Sequence, residues 1–119
     1  MSTHPNTILM LVLTPDDLPR KTAREILGSD YSRDEGNELQ IGGRDYHCLL
    51  MENENYDEGF QIAAKQGELV FFIYVTYGYG DTVAFDEVST HRDRLAAWAI
   101  ENAVKHHCRW RIELTANYW

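Results

Sequence analysis

The chain has 119 residues, of which 44% are hydrophobic and 12% aromatic, and its 19 acidic against 11 basic side chains leave a formal net charge of -8. This length and apolar content predict a single globular domain over residues 1–119 and argue against a disordered acidic tail. The negative balance argues against direct binding to nucleic acid or to an anionic membrane surface, because both depend on clustered Lys and Arg.

The cysteine content and the apolar run near the start of the sequence indicate a cytoplasmic protein. Cys48 and Cys108 are too few for a disulfide framework, which predicts free thiols in a reducing compartment. The run from Thr7 to Leu13 is too short to cross a bilayer and lacks the basic region and cleavage site of a signal peptide. We therefore expect a cytoplasmic protein of bacterial or phage origin that makes no membrane contact.

The first part of the chain predicts a central strand and a short helix. Residues 7–13 are apolar on both faces, which is typical of a strand in the middle of a sheet. A helix then begins near Leu18, because the proline after it fits only the first turn, and Thr14 or Asp17 is expected to cap it. Gly28 suits the left-handed residue that follows a helix.

A β-hairpin is predicted over residues 38–51. Its two strands flank a Gly-Gly pair, which permits the positive φ values of a primed turn. In this register Leu39 lies opposite Tyr46. The stretch at residues 60–66 fits either a helical turn or a short strand, so its structure stays open.

The second half predicts another central strand, a return strand and a long helix. Residues 69–77 are apolar on both faces, and after a glycine-rich turn Thr82 to Phe85 are expected to return as a hairpin partner. Thr90 with Asp93 forms a capping box that begins the helix. The buried face of this helix is predicted to hold Leu95, Ala96, Ala99, Ile100, Ala103 and Val104.

The end of the chain alternates apolar and polar residues, as a half-buried strand does. The apolar face holds Trp110, Ile112, Leu114, Ala116 and Tyr118. The polar face holds Arg109, Arg111, Glu113, Thr115 and Asn117. The predicted order is β-α-β-β-(x)-β-β-α-β, which gives an α+β fold: a largely antiparallel sheet of about five to six strands with two helices packed on one face.

Nearly all of the net charge lies in one segment. Residues 29–58 hold nine acids against two bases, a net charge of -7, whereas residues 1–28 are neutral and residues 59–119 carry -1. Tyrosines, including Tyr46, interleave with these acids, and tyrosine is enriched in protein interfaces. We predict that this segment binds a partner through Asp30, Asp34, Glu35, Glu38, Asp45, Glu54, Asp57, Glu58, Tyr31 and Tyr56.

A negative surface of this kind fits a basic protein partner, because complementary charge steers association and suppresses wrong partners. We therefore expect a small non-enzymatic inhibitor, such as a toxin-immunity protein or an anti-defence protein that blocks a nucleic-acid-handling enzyme. Two other interpretations stay open. The acidic segment also fits a solvated surface that keeps the protein soluble, and the apolar final strand can pair across a two-fold axis to form a homodimer.

The sequence contains no recognisable catalytic or metal-binding constellation. His47-Cys48 and His107-Cys108 repeat two ligating residue types, but neighbouring residues on a strand point to opposite faces, so each pair offers one ligand. No local signature supports a Cys–His nucleophile pair, although Cys108 beside Arg109 is the better-placed thiol. We predict no metal, no cofactor and no catalytic residue.

The turn at residues 76–82 supports a competing interpretation, a small-molecule-binding protein or an enzyme. Its two glycines free the backbone, and the aromatic end of the chain can line the same pocket. This pocket would hold Tyr77, Tyr79, Asp81, His91 and Asn117. The glycines are equally explained by the geometry of a hairpin connection, and the spacing fits no dinucleotide-binding or phosphate-binding motif.

Overall fold

The computed structural model describes residues 5–28, 31, 36–51, 64–78 and 80–118. These residues form five strands and two helices. In chain order they are β1 (Pro5–Pro15), α1 (Pro19–Leu27), β2 (Asn37–Ile41), β3 (Arg44–Leu50), β4 (Leu69–Thr76), α2 (Phe85–Lys105) and β5 (Cys108–Tyr118).

The strands form one sheet in the order β2-β3-β4-β1-β5, and every neighbouring pair is antiparallel. This confirms the predicted α+β class with its largely antiparallel sheet. The predicted central position of the first strand is also confirmed, because β1 lies between β4 and β5, with Leu13 opposite both Leu69 and Trp110. The hairpin register is confirmed as well, since Leu39 lies opposite Tyr46.

Both faces of β1 are buried, as its uninterrupted apolar sequence requires. Leu9, Leu11 and Leu13 belong to a core cluster that includes residues of α1 and α2, and we call this side of the sheet the helical face. The alternate residues of β1 point to the opposite side, which we call the far face. There Ile8, Met10 and Val12 are fully buried in a second cluster with residues of β4.

The helix α1 begins as its proline predicts, with Leu18 as the N-cap residue. Neither predicted capping side chain caps it: Asp17 accepts a hydrogen bond from the Leu18 N–H, and Thr14 instead bonds Glu68. Gly28 follows the helix with a φ of 63°, the positive value that favours glycine.

The helix α2 begins five residues earlier than its predicted capping box. Its N-cap is Ala84, and Asp86 and Glu87 in the first turn complement the positive end of the helix dipole. The predicted strand at Thr82 to Phe85 and the capping box at Thr90 are therefore wrong. The Thr90 hydroxyl donates to the Asp86 carbonyl one turn earlier, a bond typical of a helix interior.

The buried stripe of α2 is rotated from the predicted one. Its buried residues recur every four positions, at His91, Leu95, Ala99 and Ala103. Ile100 and Val104, which were predicted to be buried, are 64% and 75% exposed. A histidine occupies a core position here, and an apolar count cannot anticipate that. None of the helices in the described ranges is both long enough and apolar enough to span a membrane.

The edge strand β5 is confirmed, but its predicted apolar face is buried only in part, since Trp110 and Leu114 are 39% and 56% exposed. Its register with β1 places Ile112 on the helical face, where it packs against the core, and Arg111 on the far face opposite Val12. The sequence left the structure of residues 60–66 open. Of these, residues 64–66 form neither helix nor strand, and residues 60–63 lie outside the described part of the chain.

Candidate functional site

Three of the ten predicted partner-binding residues are described, and two of them lie on an exposed surface. Glu38 on β2 and Asp45 on β3 are exposed and share the far face, because Glu38 lies opposite His47, whose ring packs on Phe72. Tyr31 is half-buried against the core. The remaining seven lie outside the described residues: Asp30, Asp34, Glu35, Glu54, Tyr56, Asp57 and Glu58.

A row of aromatic rings continues from these acids across the same face. The His47 ring centroid lies 5.1 Å from Phe72 and 5.9 Å from Tyr74. Tyr74 in turn stacks on Tyr77, with centroids 5.3 Å apart and an interplanar angle of 26°. His47 is exposed, and Tyr77 is 66% exposed. Contacts between rings on neighbouring strands therefore join β3 to the end of β4.

We call the surface formed by Glu38, Asp45, His47, Tyr74 and Tyr77 the acidic–aromatic face. Ion pairs between residues of the described ranges involve neither of its two carboxylates. Burial, with the neighbouring Tyr77, raises the pKa of the Tyr74 hydroxyl, so this group stays protonated at neutral pH. The face thus presents two exposed carboxylates beside stacked aromatic rings.

The hairpin that carries these acids is fixed to α2 by a buried polar cluster. The Tyr46 hydroxyl donates to His91 Nδ1 at 2.9 Å and accepts from Arg94 Nη1 at 3.0 Å. Arg94 Nη1 also lies 3.2 Å from His91 Nδ1, and because a guanidinium group can only donate, Nδ1 is the acceptor and His91 is neutral. Burial, together with the positive charges of Arg44 and Arg94, lowers the pKa of His91 and favours this neutral form. Tyr46 is fully buried, so this tyrosine of the acidic segment is a core residue and not part of the exposed surface.

The turn of this hairpin lies directly against the same cluster. Gly42 has a φ of 58°, and a Cβ atom there would lie 2.9 Å from Cγ and Cδ of Arg94. Glycine is needed for both reasons, the backbone conformation and the space that Arg94 occupies.

We expect Gly42→Ala to lower the free energy of unfolding by about 1.5 kcal/mol, because it adds backbone strain and displaces Arg94. Urea unfolding followed by tryptophan fluorescence measures the change. In an Arg94→Ala background the same substitution should lower the free energy of unfolding by less, because the backbone strain remains but there is no Arg94 side chain to displace. Equal costs in the two backgrounds would contradict the close packing of this turn on Arg94.

The residues of the competing pocket fall into two places. Asp81 accepts from the Tyr77 N–H at 2.7 Å and from the Thr82 N–H at 3.0 Å, so its carboxylate organises the turn. His91 belongs to the buried cluster with Tyr46. Tyr79 and the side chain of Asn117 lie outside the described part, and the pocket stays a prediction.

A second buried polar cluster lies on the far face and was not predicted. Glu68 is 4% exposed and receives two hydrogen bonds from Arg111, at 2.7 and 3.2 Å. The Thr14 hydroxyl and the Lys65 N–H also donate to this carboxylate. Arg111 Nε donates a further hydrogen bond to Glu113 Oε1 at 2.9 Å. Desolvation raises the pKa of Glu68, but these hydrogen bonds outweigh it and hold the pKa at about 2.

No local sequence signal predicts this cluster, because the side chains of Arg111 and Thr14 lie 43 and 54 residues from Glu68 in the chain. The register of β1 with β5 brings them together, and that register is known only once the sheet has formed. Their arrangement, with every carboxylate oxygen of Glu68 bonded, is that of a structural ion pair.

The two thiols are unsuited to nucleophilic chemistry. Burial raises the pKa of Cys48 to about 12, and burial together with Asp16 and Glu25 raises the pKa of Cys108. Both are free thiols, and Cys108 Sγ donates to the His106 carbonyl at 3.4 Å. Within the part of the chain that the structure describes, His, Cys, Asp and Glu side chains form no group of three or more that could hold a metal ion.

Comparison with protein-family models, with curated proteins and with solved structures finds no match for this chain. A functional proposal therefore depends on the geometry of its own residues.

Proposed function

We propose that this protein is a small acidic binding protein that engages a basic protein partner through the acidic–aromatic face. One observation carries the proposal: Glu38 and Asp45, from the segment that holds nearly all of the net charge, share one exposed face with the stacked rings of Tyr74 and Tyr77. Acids alone would fit a solvated surface, whereas exposed stacked aromatics beside them are typical of an interface.

The chemistry of this face favours arginine on the partner. A guanidinium group pairs with carboxylates and also stacks on aromatic rings, whereas an ammonium group is a strongly hydrated point charge. Proteins that handle nucleic acids present clustered arginines and lysines to phosphate. An acidic protein that occupies such a surface would block it, which supports an inhibitor of the toxin-immunity or anti-defence kind.

The anchoring of the hairpin supports the same proposal. Tyr46, His91 and Arg94 tie β3 to α2 through hydrogen bonds of 2.9 and 3.0 Å, and Gly42 closes the turn against Arg94. A surface held in this way loses little conformational entropy on binding, so more of the interaction energy appears as affinity.

The test compares two double charge reversals with the same change in net charge. We expect Glu38→Lys with Asp45→Lys to weaken binding to an immobilised arginine-rich peptide by at least about tenfold at low salt, because two attractive contacts become repulsive. The matched control is Asp93→Lys with Glu101→Lys, on exposed positions of α2. Equal losses in both variants would show that only net charge matters and would overturn the proposed site.

A second arm tests the aromatic part of the face. Tyr77→Ala should weaken binding of the arginine-rich peptide more than binding of a lysine-rich peptide of equal charge, because a guanidinium group stacks on an aromatic ring more strongly than an ammonium group does. Capture from the native host at low and high salt, with wild type beside the Glu38→Lys, Asp45→Lys variant, then identifies the partner. A partner that both chains capture equally at low salt would contradict the proposal.

A further inference from the structure

The edge strand β5 carries a self-complementary pattern on its free side. It is 11 residues long and pairs with β1 along its whole length, and no described strand pairs with its other edge. An open edge of this length presents a row of unpaired backbone donors and acceptors, which is a template for pairing with another strand.

We infer that β5 pairs with β5 of a second copy of this chain, antiparallel, across a two-fold axis that passes between the two Ile112 residues. The inference does not depend on the proposed function, since β5 lies at the opposite edge of the sheet from the acidic hairpin. A two-fold interface needs a surface that is complementary to itself.

The charges of the far face meet this requirement in one register. With Ile112 opposite Ile112 of the second copy, Arg111 of each chain lies opposite Glu113 of the other. A shift of the axis to residue 111 sets Arg109 opposite Glu113 but places Arg111 opposite Arg111, and a shift to residue 113 places Glu113 opposite Glu113. Among these three registers, only the Ile112 register contains no directly opposed like charges. Directly opposite charges on paired strands attract and like charges repel, so the Ile112 register is favoured over its two neighbours.

The Arg111 and Glu113 side chains are already positioned for this contact. Within one chain they are joined at 2.9 Å, and their exposed fractions are 38% and 43%. The two-fold axis turns these two side chains and their symmetry mates into one ring of four alternating charges. Glu68 holds each Arg111 from the other side at 2.7 Å, which fixes the guanidinium before association.

On the helical face, the same register of the two β5 strands places apolar residues opposite each other. Trp110 of each chain lies opposite Leu114 of the other, and these residues are 39% and 56% exposed in one chain. A two-fold axis perpendicular to the sheet keeps both helical faces on one side. Pairing therefore covers exposed apolar surface as well as matching charge.

The exposed flank of α2 extends this apolar surface. The Trp98 ring packs on Phe71 of β4, with centroids 5.2 Å apart, so that flank of the helix faces away from β5. Ile100 and Val104 lie on the opposite flank, toward β5, and are 64% and 75% exposed. In the two-fold pair this flank faces the same flank of the second copy.

The first test is the mass in solution. We expect sedimentation or light scattering to give twice the chain mass of 13.8 kDa at high concentration. Glu113→Arg places arginines opposite each other at both ends of the charge ring and should weaken dimerisation by at least about tenfold. The matched control Glu101→Arg makes the same charge change on an exposed position of α2 and should leave the dimer intact.

The second test reads the register directly. In a Cys108→Ala background, Ile112→Cys should form an intermolecular disulfide on mild oxidation, because position 112 faces itself across the axis. Leu114→Cys faces Trp110 and should not cross-link. A chain that stays at 13.8 kDa at about 0.5 mM, where even a weak dimer is populated, would overturn the inference. A dimer that survives Glu113→Arg, or that cross-links through position 114 instead, would also overturn it.

Discussion

Arg111→Met should lower the free energy of unfolding by about 3 kcal/mol at pH 7, because it leaves the buried carboxylate of Glu68 without its cationic partner. Only the Thr14 hydroxyl and the Lys65 N–H would still donate to that carboxylate. Chemical denaturation at fixed protein concentration measures the change. The control Arg92→Met breaks an exposed pair with Asp93 and should cost under about 1 kcal/mol.

The same ion pair predicts a loss of stability in acid. The pKa of Glu68 is about 2 in the folded protein against 4.5 as its ordinary value, so the unfolded chain binds the proton first. The stabilisation, about 3 kcal/mol, is complete above about pH 4.5 and is lost as the pH falls toward about 2. Glu68→Gln with Arg111→Met should remove this acid-dependent part and be more stable at pH 7 than Arg111→Met alone. A double variant as unstable as the single one would contradict the buried-charge explanation.

Tyr46→Phe should lower the free energy of unfolding by about 1 kcal/mol, because removing the hydroxyl leaves His91 Nδ1 and Arg94 Nη1 with only their direct hydrogen bond of 3.2 Å. Tyr77→Phe is the matched control: its hydroxyl is on an exposed residue, and the substitution should change stability by under about 0.5 kcal/mol. Similar small effects at both positions would show that the cluster does not anchor the hairpin.

The anchoring cluster also gives a second, separate pH dependence. The pKa of His91 lies below its ordinary value of 6.5, so the unfolded chain takes up a proton that the folded chain excludes. The contribution of His91 to the free energy of unfolding is therefore constant above about pH 6.5. It falls as the pH drops below that value, at a higher pH than the decline caused by Glu68. His91→Gln keeps an acceptor for the Tyr46 hydroxyl and should remove this first decline while leaving the second.

The sequence predicted those elements whose pattern is local. Alternation identified β5, an apolar run on both faces identified β1, and the Gly-Gly pair set the hairpin register that places Leu39 opposite Tyr46. The start of α2 was missed because its N-cap is Ala84, which has no capping side chain, and its best signal was the acidic pair Asp86 and Glu87.

The candidate site depended on pairing between distant strands and was predicted only in part. Glu38 and Asp45 were selected by charge, but their position beside Tyr74 and Tyr77 follows from the register of β2, β3 and β4. Tyr46 was grouped with the interface tyrosines because residue type alone does not distinguish a buried hydroxyl with two partners from an exposed ring.

The position of β1 also governs how this chain can fold. It precedes the other described strands in the chain, yet it fills the centre of the sheet, with Leu13 paired to Leu69 and Asn6 paired to Asn117. Strand pairs this far apart in the chain raise the contact order and slow folding to the range of about milliseconds to seconds. During translation this apolar segment therefore leaves the ribosome before either of its neighbouring strands, β4 and β5, has been made. Until those strands follow, the apolar side chains of β1 have no partner strand to cover them and are exposed to aggregation.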